Sequence, residues 1–355
     1  MTRKRFLAAA LAWLAATVGA HAQPAAKAHP IDIEALMRRY TGDVPGASLL
    51  VVRDGKPVIR RGFGYADLDK NIKAAPETNY RLASVTKQFT AACILLLKQD
   101  GKLLLEDPVR KYLPELPASD DKITVYHLLT HTGGLIDYED LVPAERTAQL
   151  DDADVLTMIA AQHRLYFEPG SAFRYSNGGY VLLGLIVQRV SGMDLADFMK
   201  QRIFRPLGMD HTLMYEHEHG PEVSYRAYGY SRVDGKWTKT DQSVTSATRG
   251  DGGIYSSVDD LAKWDAALYS DRLLSEDSRR AAFAAHDPSG DPDVGYGFGW
   301  RISDDTVWHS GESVGFRNVI VRWPARHLSV IILSNRNEFQ PYPLALTIGE
   351  LFLLQ

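Results

Sequence analysis

Ser84 and Lys87 have the residue types and the spacing needed to activate a serine nucleophile. They lie in the stretch RLASVTKQFTAACILLLKQDG, where apolar side chains recur at helical spacing behind Ser84. Residues three apart share one face of a helix, so the Lys87 amine can lie against the Ser84 hydroxyl. A helix start also supplies unpaired N–H groups and a positive dipole end, which suit an oxyanion. We therefore take Ser84 as the candidate nucleophile and Lys87 as its proton-transfer partner.

A second serine–lysine pair, Ser119 and Lys122, has the same spacing in a different context. It lies in ASDDKITV, after PELP, among acids and turn residues and without an apolar stripe. We interpret this pair as part of a solvated loop.

The segment FRYSNGGY offers two further candidates just before an apolar helix pattern. Tyr175 is a candidate for carrying the serine proton, and the Asn177 amide is a candidate for holding a substrate carbonyl. Taken alone, the segment is also typical of a helix-capping turn with a structural tyrosine. Only the rest of the chain can separate these two interpretations.

The segment WHSGESVGF places His309, Gly311 and Glu312 at the end of a predicted strand. If that strand borders the nucleophile, the backbone N–H of Glu312 can act as a second oxyanion donor, and Gly311 permits close backbone approach. A similar pattern, residues 131–133 in LLTHTGGL, follows a helical segment. We expect that copy to be badly placed for a sheet edge.

The N-terminus predicts a cleavable secretory signal peptide at residues 1–22. TRKR precedes an apolar run from Phe6 to Ala20, and AHA follows it. A membrane anchor is the competing interpretation, but the run is shorter than the ~20 residues of a spanning helix. We expect a periplasmic or secreted bacterial protein without a membrane span in the mature chain.

Composition argues against several other classes of protein. Removing residues 1–22 takes away three basic and no acidic side chains, so the formal charge changes from −4 to −7, which gives no support to nucleic-acid binding. The single cysteine, Cys93, cannot form an internal disulfide and is interpreted as a small buried hydrophobe. His217 and His219 lack a third ligand at a recognised spacing, so no metal site is predicted.

Periodicity predicts a mixed α+β fold. Strand patterns occur near both ends of the chain, in GASLLVVRDG, KPVIRRGFGYAD, TVWHSG, VGFRNVIVRWP and HLSVIILSNR. Their short turns favour an antiparallel sheet, with helices at the two chain ends covering it. Helical patterns dominate between them. We expect a sheet domain formed by residues 23–118 and 215–355, flanked by helices, and an inserted mainly helical domain at residues 119–214.

Taken together and in this order, SVTK, YSN and HSG make the chain resemble the serine β-lactamase and D-alanyl-D-alanine carboxypeptidase superfamily, in its class C-like branch. The resemblance runs from about Gly46 to about Asn335. It implies an active-site cleft between the two domains and an acyl-enzyme on Ser84. It also implies proton exchange between Lys87 and Tyr175, and no cofactor. The backbone N–H groups of Ser84 and Glu312 would form the oxyanion hole.

The chain departs from the β-lactamases at the third motif, where His309 replaces their usual lysine. A histidine of ordinary pKa is mostly neutral at pH 7, and the acid Glu312 beside it should repel a substrate carboxylate. We therefore expect an esterase or peptidase before a D-alanyl carboxypeptidase or a β-lactamase, acting as a monomer on a small-molecule or peptide substrate. The rival hypothesis from another class is a catalytically silent protein that senses peptidoglycan.

Overall fold

The computed structural model of this 355-residue chain describes residues 32–216, 220–291 and 293–354. For residues 287–291 it describes the backbone only. The signal peptide predicted at residues 1–22 lies outside the described residues, as do His217 and His219.

The α-helices of the described residues follow one another along the chain in ten segments. They are α1 (Ile33–Met37), α2 (Lys87–Gln99), α3 (Val125–Leu129), α4 (Asp152–Ala160), α5 (Asn177–Ser191), α6 (Leu195–Met199), α7 (Arg205–Leu207), α8 (Val258–Ala267), α9 (Glu276–Ala282) and α10 (Tyr342–Leu353).

The β-strands come mainly from the two ends of the described chain. They are β1 (Ala47–Arg53), β2 (Lys56–Phe63), β3 (Tyr65–Asp67), β4 (Ile72–Lys73), β5 (Tyr80–Arg81), β6 (Leu213–Met214), β7 (Tyr230–Val233), β8 (Lys236–Lys239), β9 (Ile254–Ser256), β10 (Asp287–Asp291), β11 (Val294–Tyr296), β12 (Arg301–Ser303), β13 (Thr306–Ser313), β14 (Phe316–Trp323) and β15 (Leu328–Ser334).

The main sheet has eight strands in the order β10-β11-β12-β13-β14-β15-β1-β2, and every neighbouring pair is antiparallel. The N-terminal hairpin of β1 and β2 joins the C-terminal strands through β15. The predicted mixed fold, with an antiparallel sheet flanked by helices, is therefore confirmed. The domain boundaries placed at residues 119 and 214 stay a prediction.

The central strands β1, β14 and β15 are buried on both faces. Successive side chains of a strand point to opposite faces, so these strands contribute to a core on each side of the sheet. Along β1, Leu49 and Val51 pack with α1 and α10, whereas Leu50 packs in the larger core that contains α2 and α8. Burying each large aliphatic side chain contributes about 1.5–3 kcal/mol relative to leaving it exposed. Helices packed on both faces therefore fix the central strands of the sheet in place.

Helix α2 crosses the middle of the larger core. Its residues 87–97 are all buried, and the Phe89 ring lies 4.3 Å from the ring of Trp264. Cys93 is fully buried, as expected for a small hydrophobe, and burial raises the pKa of its thiol. The helix ends at Gln99, and Gly101 follows with a φ of +69°, the left-handed conformation that favours glycine. Core packing thus fixes the end of α2 that carries Lys87.

Candidate active site

Ser84 lies in a 3₁₀ turn, Ala83–Thr86, that leads directly into α2. The α-helix itself begins at Lys87, one turn later than the sequence predicts. Two hydrogen bonds fix the preceding backbone. The Leu82 N–H donates to the carbonyl of Ile254 at 2.8 Å, and the Asn318 amide donates to the carbonyl of Arg81 at 2.8 Å.

The backbone of Ala83 is left-handed, with φ +50°, which is uncommon for a residue with a Cβ. Ala83 immediately precedes Ser84. Its backbone conformation therefore sets the direction of the chain between the end of β5 and Ser84.

The Lys87 amine is fully buried and is held by three oxygen atoms. Its Nζ lies 3.2 Å from Ser84 Oγ, 2.7 Å from Asn177 Oδ1 and 3.0 Å from the carbonyl oxygen of Asp251. A buried amine needs such partners, because burial without them is costly. Lys87 and Ser84 thus meet as their spacing of three residues predicts. The distance between Lys87 Nζ and Ser84 Oγ suits proton exchange.

Asn177 is the first residue of α5, and the side chain of Ser176 caps that helix by accepting from the Gly179 N–H at 3.0 Å. The Asn177 Nδ2 donates to Glu139 Oε2 at 3.0 Å. Because its Oδ1 already accepts from Lys87, the amide joins the buried amine to a carboxylate. The predicted contact with a substrate carbonyl stays a prediction.

Tyr175 lies beside the same amine. Its half-buried ring has its centroid 4.9 Å from Lys87 Nζ, and the Arg301 guanidinium carbon lies 5.6 Å from that centroid. The structure therefore brings Ser84, Lys87, Tyr175 and Asn177 together.

His131 is a part of this site that the sequence analysis missed. Its ring lies 4.3 Å from the Tyr175 ring, and its Nδ1 accepts from the Ser176 N–H at 3.0 Å. Burial first, and then the charge of Lys87, hold its pKa well below the ordinary 6.5, so the ring is neutral and carries its proton on Nε2. As expected, His131 lies outside the sheet, and its ring packs against that of Tyr175.

His309 lies beside the same group of residues, with its ring centroid 6.2 Å from that of Tyr175. It is 1% exposed, and its Nε2 lies 3.0 Å from the Tyr296 hydroxyl. Burial, then Arg301 and Lys87, hold its pKa well below 6.5. The side chain is thus neutral and held by the Tyr296 hydroxyl, and its predicted contact with a substrate stays a prediction.

Gly311 is required by close packing against the serine turn. A Cβ at Gly311 would lie 2.0 Å from the carbonyl oxygen of Leu82, so a larger residue would displace β13. The strand therefore runs directly beside the segment that carries Ser84, as expected. Gly311 thus contributes through the close approach of its backbone to the carbonyl of Leu82.

Glu312 lies at the mouth of a cleft of about 150 Å³ beside Ser84, and 47% of its side chain is exposed. Its Oε2 lies 3.5 Å from Arg317 Nε on the neighbouring strand. The pairing offsets part of the negative charge that the sequence predicts there. The cleft is otherwise polar, and its lining also includes Arg81, Glu139, Asn177, Ser243, Thr245, Ser246, Thr248, Asp251 and Ser313.

The competing serine–lysine pair is separated in the structure. Ser119 donates to Asp120 at 2.9 Å, while Lys122 reaches out to Glu168 at 3.4 Å with 79% of its side chain exposed.

Among the described residues, no three His, Cys, Asp or Glu side chains are grouped closely enough to hold a metal ion. No helix of the described residues is long and apolar enough to cross a membrane.

Comparison with known proteins agrees with this geometry. The protein-family model described as Beta-lactamase matches residues 32–351, so the chain belongs to this family. It is a serine hydrolase of the β-lactamase-related group.

Among curated relatives, the chain is 33% identical over 317 residues to Penicillin-binding protein 4* of Bacillus subtilis (strain 168), which covers 84% of this chain and 70% of the relative. It is 32% identical over 319 residues to Protein flp of Staphylococcus aureus (strain MW2), covering 84% of this chain. The chain spans only 61% of the length of Protein flp.

Two solved structures have the same fold. The octameric penicillin-binding protein homologue from Pyrococcus abyssi has a TM-score of 0.81 and 28% identity, covering 90% of this chain and 76% of that one. A D-amino acid amidase from Ochrobactrum anthropi SV3, solved with L-phenylalanine amide, has a TM-score of 0.77 and 25% identity, covering 91% of this chain and 96% of that one.

Proposed function

We propose that the protein is an exported hydrolase that cleaves an ester or amide through an acyl-enzyme on Ser84. The observation that carries the proposal is the 3.2 Å distance between Ser84 Oγ and the buried Lys87 Nζ. A serine hydroxyl is a weak nucleophile until a neighbouring base takes its proton. Lys87 acts as this base in its neutral form, because an ammonium group has no free electron pair to accept the proton.

In the first half of the reaction, Ser84 Oγ attacks the substrate carbonyl and its proton passes to the unit of Lys87 and Tyr175. The carbonyl oxygen becomes an oxyanion, for which the backbone N–H groups of Ser84 and Glu312 are the proposed donors. The bond to the leaving group then breaks, and the leaving alcohol or amine receives the proton.

In the second half, water attacks the acyl-enzyme ester. The same unit takes the proton from water and returns it to Ser84 Oγ as the acid leaves. The cycle consumes one water and needs no redox step.

The polar cleft and the position of His309 support an esterase or peptidase ahead of the alternatives. A buried neutral His309 offers no charge to a substrate carboxylate, whereas D-alanyl peptides and β-lactams both carry one. A D-alanyl-D-alanine carboxypeptidase and a class C-type β-lactamase are therefore the second and third candidates. A silent peptidoglycan sensor would not require the joined set of Ser84, Lys87 and Asn177. Export and a monomeric state remain part of the proposal.

Turnover of a substrate panel tests the proposal. We expect purified protein to hydrolyse short p-nitrophenyl esters faster than nitrocefin or D-alanyl-D-alanine peptides, and Ser84→Ala to abolish turnover of all of them. Hydrolysis that persists in Ser84→Ala would contradict the assignment. Faster cleavage of nitrocefin or of the D-alanyl peptide would instead favour the second or third candidate.

A further inference from the structure

Residues 249–251 run along the face of α2 that carries Lys87. The carbonyl of Asp251 accepts from Lys87 Nζ at 3.0 Å, and the carbonyl of Gly250 accepts from Thr90 Oγ1 at 2.6 Å. Lys87 and Thr90 are three residues apart, so they share one face of the helix. The place of the acceptor that Asp251 offers to the Lys87 amine therefore depends on how residues 249–251 are held.

Close packing against α5 limits the room available to these residues. A Cβ at Gly250 would lie 2.3 Å from the carbonyl oxygen of Tyr180, a distance that only glycine avoids. Residues 249–251 thus lie closely packed between α2 and α5.

Asp152 fixes the first residue of this segment through two hydrogen bonds. Its Oδ1 accepts from the backbone N–H of Arg249 at 2.9 Å, and its Oδ2 accepts from Arg249 Nε, also at 2.9 Å. Asp152 is the first residue of α4, and its side chain is 3% exposed. One buried carboxylate therefore holds both the backbone and the side chain of Arg249.

The Arg249 guanidinium has further carboxylate partners. Its Nη1 donates to Asp194 Oδ2 at 2.8 Å and lies 3.8 Å from Glu216 Oε1. The Arg249 side chain is only 19% exposed, so solvent and salt screen these contacts less than those of a surface pair. The start of α4 is thus joined to the segment that contacts Lys87.

We propose that Asp152 and Arg249 are positioning residues for the reaction, because their ion pair holds residues 249–251 where the Asp251 carbonyl keeps the Lys87 amine beside Ser84. Neither residue belongs to the described lining of the cleft beside Ser84. Asp152 and Arg249 therefore act on the rate through Lys87 and not on substrate binding. The inference rests on the proposed function.

Asp152→Asn tests the proposal. The variant keeps an oxygen that can accept from the Arg249 N–H, but it removes the charge that holds the guanidinium. Arg249 retains Asp194, so no buried cation is left unpaired. We expect kcat for a p-nitrophenyl ester to fall about tenfold, because a small displacement of a catalytic group is costly, and KM to change less than about twofold. The rate at which a fluorophosphonate labels Ser84 should fall by about the same factor as kcat.

Asp265→Asn is the matched control, since it changes the charge of another buried ion pair. Asp265 on α8 accepts from Arg322 Nε of β14 at 2.6 Å, and the two side chains are 3% and 1% exposed. This variant should have a lower thermal midpoint, but its kcat and labelling rate should stay within about twofold of the wild type. All rates are measured at a temperature where circular dichroism shows the variants folded.

Arg249→Lys provides a second variant if Asp152→Asn does not fold. A lysine keeps the charge but lacks the fork of donors that reaches Asp152 and Asp194 together. Its kcat and labelling rate should fall about threefold, with KM unchanged within about twofold.

Wild-type values of kcat and labelling rate in folded Asp152→Asn, or in Arg249→Lys, would overturn the proposal. An equal loss in Asp265→Asn would also overturn it, because the loss would then follow from general stability. A raised KM with an unchanged kcat would place Asp152 in substrate binding instead. Failure of the proposed function has a different signature, namely ester turnover or labelling that persists in Ser84→Ala.

Discussion

Lys87 makes its shortest hydrogen bond to Asn177: its Nζ lies 2.7 Å from Asn177 Oδ1, compared with 3.2 Å from Ser84 Oγ. The amide therefore holds the amine in place while leaving it within reach of the serine proton. Asn177 in turn is fixed as the first residue of α5 and by its bond to Glu139.

Removing the hydrogen bond between Lys87 and Asn177 should slow the chemical step. We expect Asn177→Ala to lower kcat about 10- to 100-fold, because a hydrogen bond to a charged group contributes about 1.5–3 kcal/mol. Asn177→Asp retains an oxygen for Lys87 and should lose less. Steady-state kinetics on one p-nitrophenyl ester measures both. An Asn177→Ala enzyme with an altered KM and an unchanged kcat would mean that the amide serves only to hold substrate.

Lys87 and Tyr175 should behave as one proton-transfer unit. Lys87→Ala and Tyr175→Phe are each expected to lower kcat by about 10²–10⁴-fold, the range of general acid–base catalysis. The double variant should be little worse than the poorer single variant, because residues that act together are not additive. Losses that multiply in the double variant would show that the two side chains work independently.

His131 should affect the rate only through Tyr175. We expect His131→Phe, which removes the acceptor for the Ser176 N–H, to lower kcat about tenfold with little change in KM and to shift the pH–rate profile. His131→Asn offers an oxygen near the same N–H and should recover part of the rate. A fall in thermal stability with unchanged kinetics in both variants would reduce His131 to a purely structural role.

The sequence predicts the parts of this site that depend on local spacing. Ser84 and Lys87 meet because they are three residues apart at a helix start, and β1, β14 and β15 are readable from short apolar runs rich in β-branched residues. The remaining contacts join distant segments. His131 reaches Tyr175 and Glu139 reaches Asn177 only through the packing of α3 and α5 and their loops, which no local pattern encodes.

The third motif shows the same limit within a single strand. The segment containing His309 is correctly predicted as a strand that ends beside Ser84, and Gly311 is correctly predicted as a point of close approach. The direction of the His309 side chain, however, depends on the Tyr296 hydroxyl of β11, two strands away in the sheet. Likewise, Arg317 lies opposite Glu312 only because of the register of the β13–β14 hairpin.

The burial of His309 as a neutral ring predicts a pH dependence of stability. Its pKa in the folded state is lowered by burial, Arg301 and Lys87, whereas an unfolded histidine titrates near 6.5. Below about pH 6.5 the unfolded chain binds a proton that the folded protein does not. The stabilisation is therefore complete above this pH and falls as the pH falls, by up to about 1.4 kcal/mol per pH unit.

Comparison with His309→Asn isolates this contribution from those of other groups. The variant should be less stable than the wild type at pH 7.5, and the difference in the free energy of unfolding should shrink at pH 6.5 and again at pH 5.5. Urea unfolding of the wild type and of His309→Asn at the three pH values measures this difference in the free energy of unfolding. A difference that stays constant or widens as the pH falls would contradict a neutral buried His309.

Formation of the covalent intermediate on Ser84 can be measured by mass spectrometry after labelling with a fluorophosphonate probe. We expect one adduct per chain, located on the peptide that contains Ser84, and no adduct in Ser84→Ala. That variant should also unfold at nearly the wild-type temperature, because active-site groups are seldom there for stability. An adduct on Ser119, Ser176 or Ser310, or labelling that persists in Ser84→Ala, would show that Ser84 is not the nucleophile.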